Sequence, residues 1–172
     1  MKNKIEQLKK RIQILRIQIQ IALFKKKLTV PNLKAPLKII IHHGGGWFDF
    51  KVVDNYHKQK WGFKSSLGFY AGYTYFIERN GKVFQARSDF EEGAHTKGHN
   101  RRSIGICLMG NGVEQSFTKE QGAALRSLLL EKRNEYNIPK SEVYGHRDFS
   151  DTICPSDILY NEILKYKRSN GS

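Results

Sequence analysis

The stretch LKIIIHHGGG, residues 37–46, sets the fold class. An apolar run bounded by a turn signal reads as a buried strand, and the three glycines Gly44, Gly45 and Gly46 read as a tight loop that ends it. Two histidines, His42 and His43, therefore stand where a buried strand gives way to a loop. Working outward from there, residues 103–109 (SIGICLM) make a second buried strand. Residues 73–79 (YTYFIER) and 82–87 (KVFQAR) flank Asn80-Gly81, a hairpin signal in which both turn positions are expected to take positive φ. Thr118 and Gln121 have the spacing of a capping box that opens a helix running to Tyr136. Residues 50–60 read as a further helix and Val143 to Gly145 as a short strand. Pro155 suits the first turn of a last helix that runs to about Arg168. Strands and helices alternate along the chain, so the body is α/β, a central mixed sheet flanked by helices.

The chain has 172 residues and a formal net charge of +14. That length suits one domain and falls short of two. Hydrophobic residues make up 39% and aromatic residues 12%, enough for a packed core. Two cysteines exclude a disulfide-stapled scaffold. No apolar stretch approaches the roughly 18 residues of a membrane-spanning helix. The charge is concentrated at one end: residues 1–38 carry +10 and residues 39–172 only +4. Nucleic-acid binding by the whole protein is therefore not expected, because the high pI describes a basic arm more than a basic domain.

Residues 3–27 contain no Gly or Pro, and Ile5, Leu8, Ile12, Leu15, Ile19 and Ala22 follow the 3-4 spacing of an amphipathic helix. Ile17 to Leu23 also alternates, so a strand competes locally. The expected organisation is a basic helical arm at 1–30, a linker at 31–36, a folded body at 37–168 and a flexible tail at 169–172. The arm has three readings. It packs on the body or on a copy of itself, it lies on an anionic membrane or wall polymer, or it is an export signal. The last is a poor match: Gln13, Arg16, Gln18 and Gln20 break the apolar region and no small-residue cleavage site follows. Without a clear export signal, the expected location is the cytoplasm or a membrane surface.

His42, His146 and Cys154 lie near predicted strand ends, where loops gather and sites are built. Zn²⁺ takes imidazole nitrogen and thiolate sulfur in tetrahedral geometry, and a catalytic zinc keeps three protein ligands with the fourth place open to water. Two histidines and one cysteine satisfy that count. The competing reading makes the histidines ordinary half-buried residues and Cys154 a small core residue. Cys107, between Ile106 and Leu108, reads as core, and His57, in a polar helix, as surface. His95 and His99, in the loop GAHTKGHN, either contact a ligand or only cap the turn. No G-x-S-x-G elbow or phosphate-binding G-x-x-x-x-G-K-[ST] loop occurs, and Gly44 to Gly46 do not form a dinucleotide fingerprint.

Taken together, four segments resemble the zinc-dependent N-acetylmuramoyl-L-alanine amidases of the phage-lysozyme and peptidoglycan-recognition type. They are IIIHHGGG (39–46), GYTYFIERNG (72–81), GAHTKGHNRRSIGICLMGN (93–111) and GHRDFSDTICPS (145–156). The resemblance covers residues 37 to 168, follows the family's order and leaves the arm outside. It implies a mixed sheet with helices packed on it and a zinc-holding groove on one face. It implies His42, His146 and Cys154 as zinc ligands, Tyr73 as the catalytic tyrosine, and Thr152 at a position where relatives carry lysine or threonine. It implies substrate contact at or near His43, Trp47, His95, Thr96 and Asn100. The implied substrate is peptidoglycan or a muropeptide, cut between the lactyl group of N-acetylmuramic acid and L-alanine. A related branch carries aspartate as third ligand and glutamate where Cys107 stands, so no carboxylate base is expected from that strand. The family also contains peptidoglycan-binding modules without catalysis, which typically lack the cysteine ligand; such a module is the alternative function.

Overall fold

The computed structural model describes residues 6–7, 11–18, 35–46, 48–111 and 116–169. The chain divides into two compact units, Met1–Leu33 and Lys34–Ser172. In the first, residues 11–18 form a helix, α1, whose Ile12, Ile14, Leu15 and Ile17 are all exposed. Residues 6–7 are helical too, and the rest of the expected arm helix, including the alternating segment beyond residue 18, lies outside the described residues. Among the described residues no helix is long and apolar enough to cross a membrane.

In the second unit a five-stranded sheet runs in the order β3-β2-β4-β1-β5. Its strands are β1 (Lys38–His43), β2 (Tyr75–Ile77), β3 (Val83–Gln85), β4 (Ser103–Leu108) and β5 (Val143–Gly145). β2, β4, β1 and β5 pair in parallel and β3 is antiparallel to β2, so the sheet is mixed as the sequence implies. Three helices accompany it: α2 (Phe50–Trp61), α3 (Lys119–Tyr136) and α4 (Asp157–Arg168).

Side chains alternate across a sheet, so each strand serves two faces. Ile39, Ile41, Ile104, Ile106, Leu108, Ile77 and Val143 pack with Leu125, Leu128 and Leu129 of α3 and with Leu159 and Ile163 of α4. The opposite face carries Phe76, Cys107 and Met109, packed with Phe50 and Val53 of α2. On this second face β4 presents Ser103, Gly105 and Cys107, a row of small side chains that leaves room above the sheet centre.

The local signals mostly act as their chemistry requires. The Thr118 hydroxyl accepts from the Gln121 N–H at 3.0 Å and the Gln121 side chain accepts from the Thr118 N–H at 3.1 Å, which closes the capping box. The Asp49 carboxylate caps α2 through the Val52 N–H at 2.8 Å, and Gly62 ends that helix at φ +62. Two expectations need correction. In the hairpin only Gly81 takes positive φ; the Asn80 side chain instead accepts the Lys82 N–H at 2.9 Å, and Gly81 N–H closes on the Glu78 carbonyl at 2.9 Å. The connection is thus longer than a two-residue turn, and asparagine contributes its side chain, not a left-handed backbone. Pro155 does not lie in the last helix: it follows a cis peptide bond after Cys154, and α4 begins at Asp157.

Candidate active site

The register of the parallel strands brings the site together. Ile41 pairs with Gly145, so the next residues, His42 on β1 and His146 just past β5, emerge side by side at the carboxyl ends of adjacent strands. Open α/β sheets build their sites at that end. The two imidazole rings lie 4.6 Å apart between centroids. A 3-10 turn, His146–Asp148, follows β5, and the chain returns so that the Arg147 N–H donates to the Cys154 carbonyl at 2.9 Å. This places Cys154 Sγ 3.8 Å from His42 Nδ1 and 3.4 Å from the His43 N–H.

Ligand atoms of His42, His146 and Cys154 all lie within 4.8 Å of one another. Zinc bonds of about 2.0–2.3 Å set tetrahedral ligands roughly 3.3–3.8 Å apart. Small side-chain adjustments close the observed spacing onto an ion, and the set of two imidazoles and one thiol is zinc chemistry. Protonation agrees for the imidazoles. Burial first, then neighbouring His95 and His146, holds His42 well below the ordinary histidine pKa, and burial lowers His146 as well, so both are neutral donors. Burial pushes the Cys154 thiol up to about 11, against the His43 N–H and Arg147, which both favour thiolate. A bound cation would supply the remaining stabilisation that a coordinating thiolate requires.

Tyr73 stands beside this trio, with its ring centroid 5.2 Å from that of His42. Its position is prepared by α2. Asp54 accepts the Ala71 N–H at 2.8 Å and the Tyr70 N–H, and His57 Nδ1 accepts the Gly72 N–H at 2.9 Å. The reading of His57 as a surface residue is therefore corrected: it is only 6% exposed and serves as a backbone acceptor one residue before Tyr73. Burial drives the Tyr73 pKa well above its ordinary value, so the phenol stays protonated.

The remaining predicted residues fall on the surrounding loops. The Thr152 hydroxyl accepts the Cys154 N–H at 3.2 Å. His43 adjoins His42 and Cys154, and its Nδ1 accepts the Gly45 N–H at 2.9 Å. Asn100 Oδ1 accepts the N–H groups of His95 at 2.9 Å and Thr96 at 2.7 Å, which folds the 95–100 loop. The His95 side chain is buried beneath His42, and Thr96 is 1% exposed. Trp47 lies outside the described residues. His99 stacks on Phe149 at 4.1 Å, away from the trio's contacts. Cys107 is fully buried in the second core, as its strand position implies.

A cleft of about 500 Å³ opens from Tyr73, His95 and His146 along α2. Its wall carries Phe48, Tyr56, Lys60 and Trp61, whose aromatic members are close to half exposed. Sequence reasoning missed this wall. The signal was available: Val52, Tyr56 and Lys60 recur at i, i+4 and i+8, and Val53, His57 and Trp61 repeat that spacing on the adjoining row of α2.

Known proteins agree with this geometry. The family model described as N-acetylmuramoyl-L-alanine amidase matches residues 32–157. The endolysin of Enterobacteria phage K11 is 38% identical over 90 residues, covering 49% of this chain and 58% of the endolysin. The chain thus spans less than two thirds of that relative's length. Among solved structures, the N-acetylmuramoyl-L-alanine amidase LysC from Clostridium intestinale URNW matches with a TM-score of 0.67 at 28% identity, covering 78% of this chain and 87% of that one. The ectodomain complex of peptidoglycan recognition proteins LCa and LCx, solved with tracheal cytotoxin bound, matches with a TM-score of 0.65 at 29% identity over 80% of this chain and 83% of that one. The family model spans well over half of the chain, and the chain belongs to the N-acetylmuramoyl-L-alanine amidase family.

Proposed function

We propose that this protein is a zinc-dependent hydrolase that cuts the amide between the lactyl group of N-acetylmuramic acid and L-alanine, in peptidoglycan or in muropeptides. The observation that carries this reading is the convergence of His42, His146 and Cys154 to within 4.8 Å beside a partly buried, protonated Tyr73. His42, His146 and Cys154 would hold the ion. When bound, zinc lowers the pKa of water in the open coordination position and polarises the scissile carbonyl. The protein's own groups complete the work. Tyr73, neutral at physiological pH, donates a hydrogen bond to the oxyanion that develops as the carbonyl is attacked. Thr152 offers a hydroxyl at the cysteine ligand's side; it donates no charge, so it stabilises the oxyanion less than a lysine would. Cys107 remains a core residue, so no carboxylate takes part from β4.

The cleft supports a glycan-peptide ligand. The open faces of Phe48, Tyr56 and Trp61 suit the apolar faces of sugar rings, and Lys60 offers the cleft an ammonium that suits a stem-peptide carboxylate. His43, Trp47, His95 and Asn100 complete the proposed contact set, with Thr96, 1% exposed, acting behind them. The competing reading, a peptidoglycan-binding module without catalysis, is disfavoured by the complete donor set and by Tyr73.

Metal analysis of the purified protein, paired with hydrolysis of a muramoyl-peptide before and after chelation, tests the reading. We expect about one zinc per chain and release of free stem peptide that chelation abolishes and zinc restores. Equal cleavage by zinc-depleted protein would overturn it. Wall binding with no release at full zinc loading would establish the binding module instead.

A further inference from the structure

His42 uses its two ring nitrogens in different directions. Nδ1 faces Cys154 Sγ at 3.8 Å. Nε2 faces away from the thiol, 3.1 Å from His95 Nδ1 and 3.3 Å from the Thr96 hydroxyl. Behind His95, its Nε2 lies 3.3 Å from the Ser103 hydroxyl. That hydroxyl in turn lies 2.7 Å from the His99 carbonyl and 2.9 Å from the Asn100 carbonyl.

The positions of the hydrogens follow from the far end of this chain. Backbone carbonyls only accept, so the single Ser103 hydroxyl hydrogen is committed to them. The Ser103 oxygen is left as an acceptor, and the group it accepts from is His95 Nε2–H. A neutral imidazole carries one N–H, so His95 Nδ1 is bare and accepts. It accepts from His42 Nε2–H directly, or through the Thr96 hydroxyl, which lies 3.1 Å from His95 Nδ1. Either route puts the His42 hydrogen on Nε2 and leaves the Nδ1 lone pair facing Cys154.

The pocket that holds His95 is shaped for that ring. A Cβ on Gly105 would stand 2.6 Å from His95 Cδ2, and one on Gly93 would stand 2.7 Å from it. The ring therefore occupies space that β4 and the 93–100 loop leave open only because both positions are glycine. The His95 backbone N–H is held by Asn100 Oδ1 at 2.9 Å.

We propose that Ser103 and His95 are positioning residues that select the Nε2–H tautomer of His42 and so commit its Nδ1 to the metal. The inference rests on the zinc reading above for its purpose, but the tautomer itself is a property of the metal-free protein. Metal-ligating histidines are commonly oriented by such a partner on the other nitrogen, and losing the partner typically costs about 10–100-fold in metal affinity. Here the partner is a second histidine, itself oriented by a hydroxyl that two carbonyls hold.

The test has two readouts besides turnover. Nitrogen-15 NMR of metal-free wild-type protein should show His42 protonated at Nε2 and His95 protonated at Nε2. Zinc affinity by competition with a chromophoric chelator should fall about 10–100-fold in His95→Phe, which keeps the ring and removes the acceptor. His95→Asn places an amide near the old Nδ1 and should recover part of that loss. Ser103→Ala frees the His95 tautomer and should produce a mixed His42 signal. A wild-type His42 protonated at Nδ1 would overturn the proposal, even if His95→Phe failed to fold. So would a folded His95→Phe that binds zinc as tightly as wild type. Wild-type protein that shows the expected tautomers yet binds no zinc would refute the zinc reading and leave the Ser103–His95 orientation of His42 standing.

Discussion

Burial raises the Tyr73 phenol well above its ordinary pKa, with Cys107 and Cys154 adding to the shift. A phenol in that state donates a hydrogen bond throughout the physiological range and does not compete as a base. Tyr73→Phe should therefore lower kcat by about 10²–10³, the typical cost of one oxyanion donor, while zinc stoichiometry stays unchanged. Steady-state hydrolysis of a soluble muropeptide with parallel metal analysis checks this; a kcat within a few-fold of wild type would remove Tyr73 from the chemistry. The donor types of His42, His146 and Cys154 were legible at predicted strand ends, although spacing alone suited half-buried histidines and a small core cysteine as well; their convergence is a product of the fold. His57 was not legible. Its neighbours in sequence are polar, and nothing local says that its ring turns inward to accept the Gly72 N–H.

At the scale of elements, α2 ties the backbone before Tyr73 to the helix through Asp54 and His57, and Arg87 ties the neighbouring loops together. The Arg87 guanidinium is 1% exposed and donates to the carbonyls of Ala71 at 2.8 Å, Phe63 and Glu92. Burial, then Lys60, lowers the His57 pKa from 6.5 to about 4. Above about pH 6.5 both folded and unfolded chains hold this histidine neutral. As pH falls, the unfolded chain takes up its proton first, and the folded chain follows only near pH 4. The stability that neutral His57 contributes is thus complete above about pH 6.5 and lost progressively toward pH 4. His57→Asn keeps an acceptor near the Gly72 N–H but cannot titrate. Urea unfolding midpoints measured across that window should depend less on pH in this variant than in wild type. Equal pH slopes would show that His57 takes up its proton at the same pH in the folded and unfolded chains. The lowered His42 and His146 act in the same direction and leave a residual slope.

At the scale of the whole molecule, the charge division is the main functional statement outside the cleft. The proposed arm, residues 1–30, lies outside the family match that begins at residue 32. In its described part, Ile12, Ile14, Leu15 and Ile17 are exposed on a helix bearing Arg11 and Arg16. A basic amphipathic segment of this kind suits an anionic membrane or wall polymer. Deleting residues 1–30 should leave hydrolysis of soluble muropeptide unchanged and weaken retention on insoluble wall or on anionic vesicles. Unchanged retention would exclude the tether. A fall in native mass beyond that of the deleted residues would assign the arm to self-association.

The amino-acid order determined the elements that rest on local chemistry: the apolar runs of β1 and β4, the hairpin, the capping box of α3, and the residues with zinc-binding donors. Each of these depends on neighbours a few positions away. What only the tertiary structure decided depends on contacts between distant segments. The pairing of Ile41 with Gly145 sets His146 beside His42. The small residues Ser103, Gly105 and Cys107 on one face of β4 leave room above it, and the His95 ring rests against Gly105. The aromatic wall of α2 becomes a wall because the helix packs beside Tyr73. Spacing along the chain carries no record of which nitrogen of His42 faces the thiol. That direction is set by side chains from the 93–100 loop and β4, whose approach is a property of the folded sheet alone.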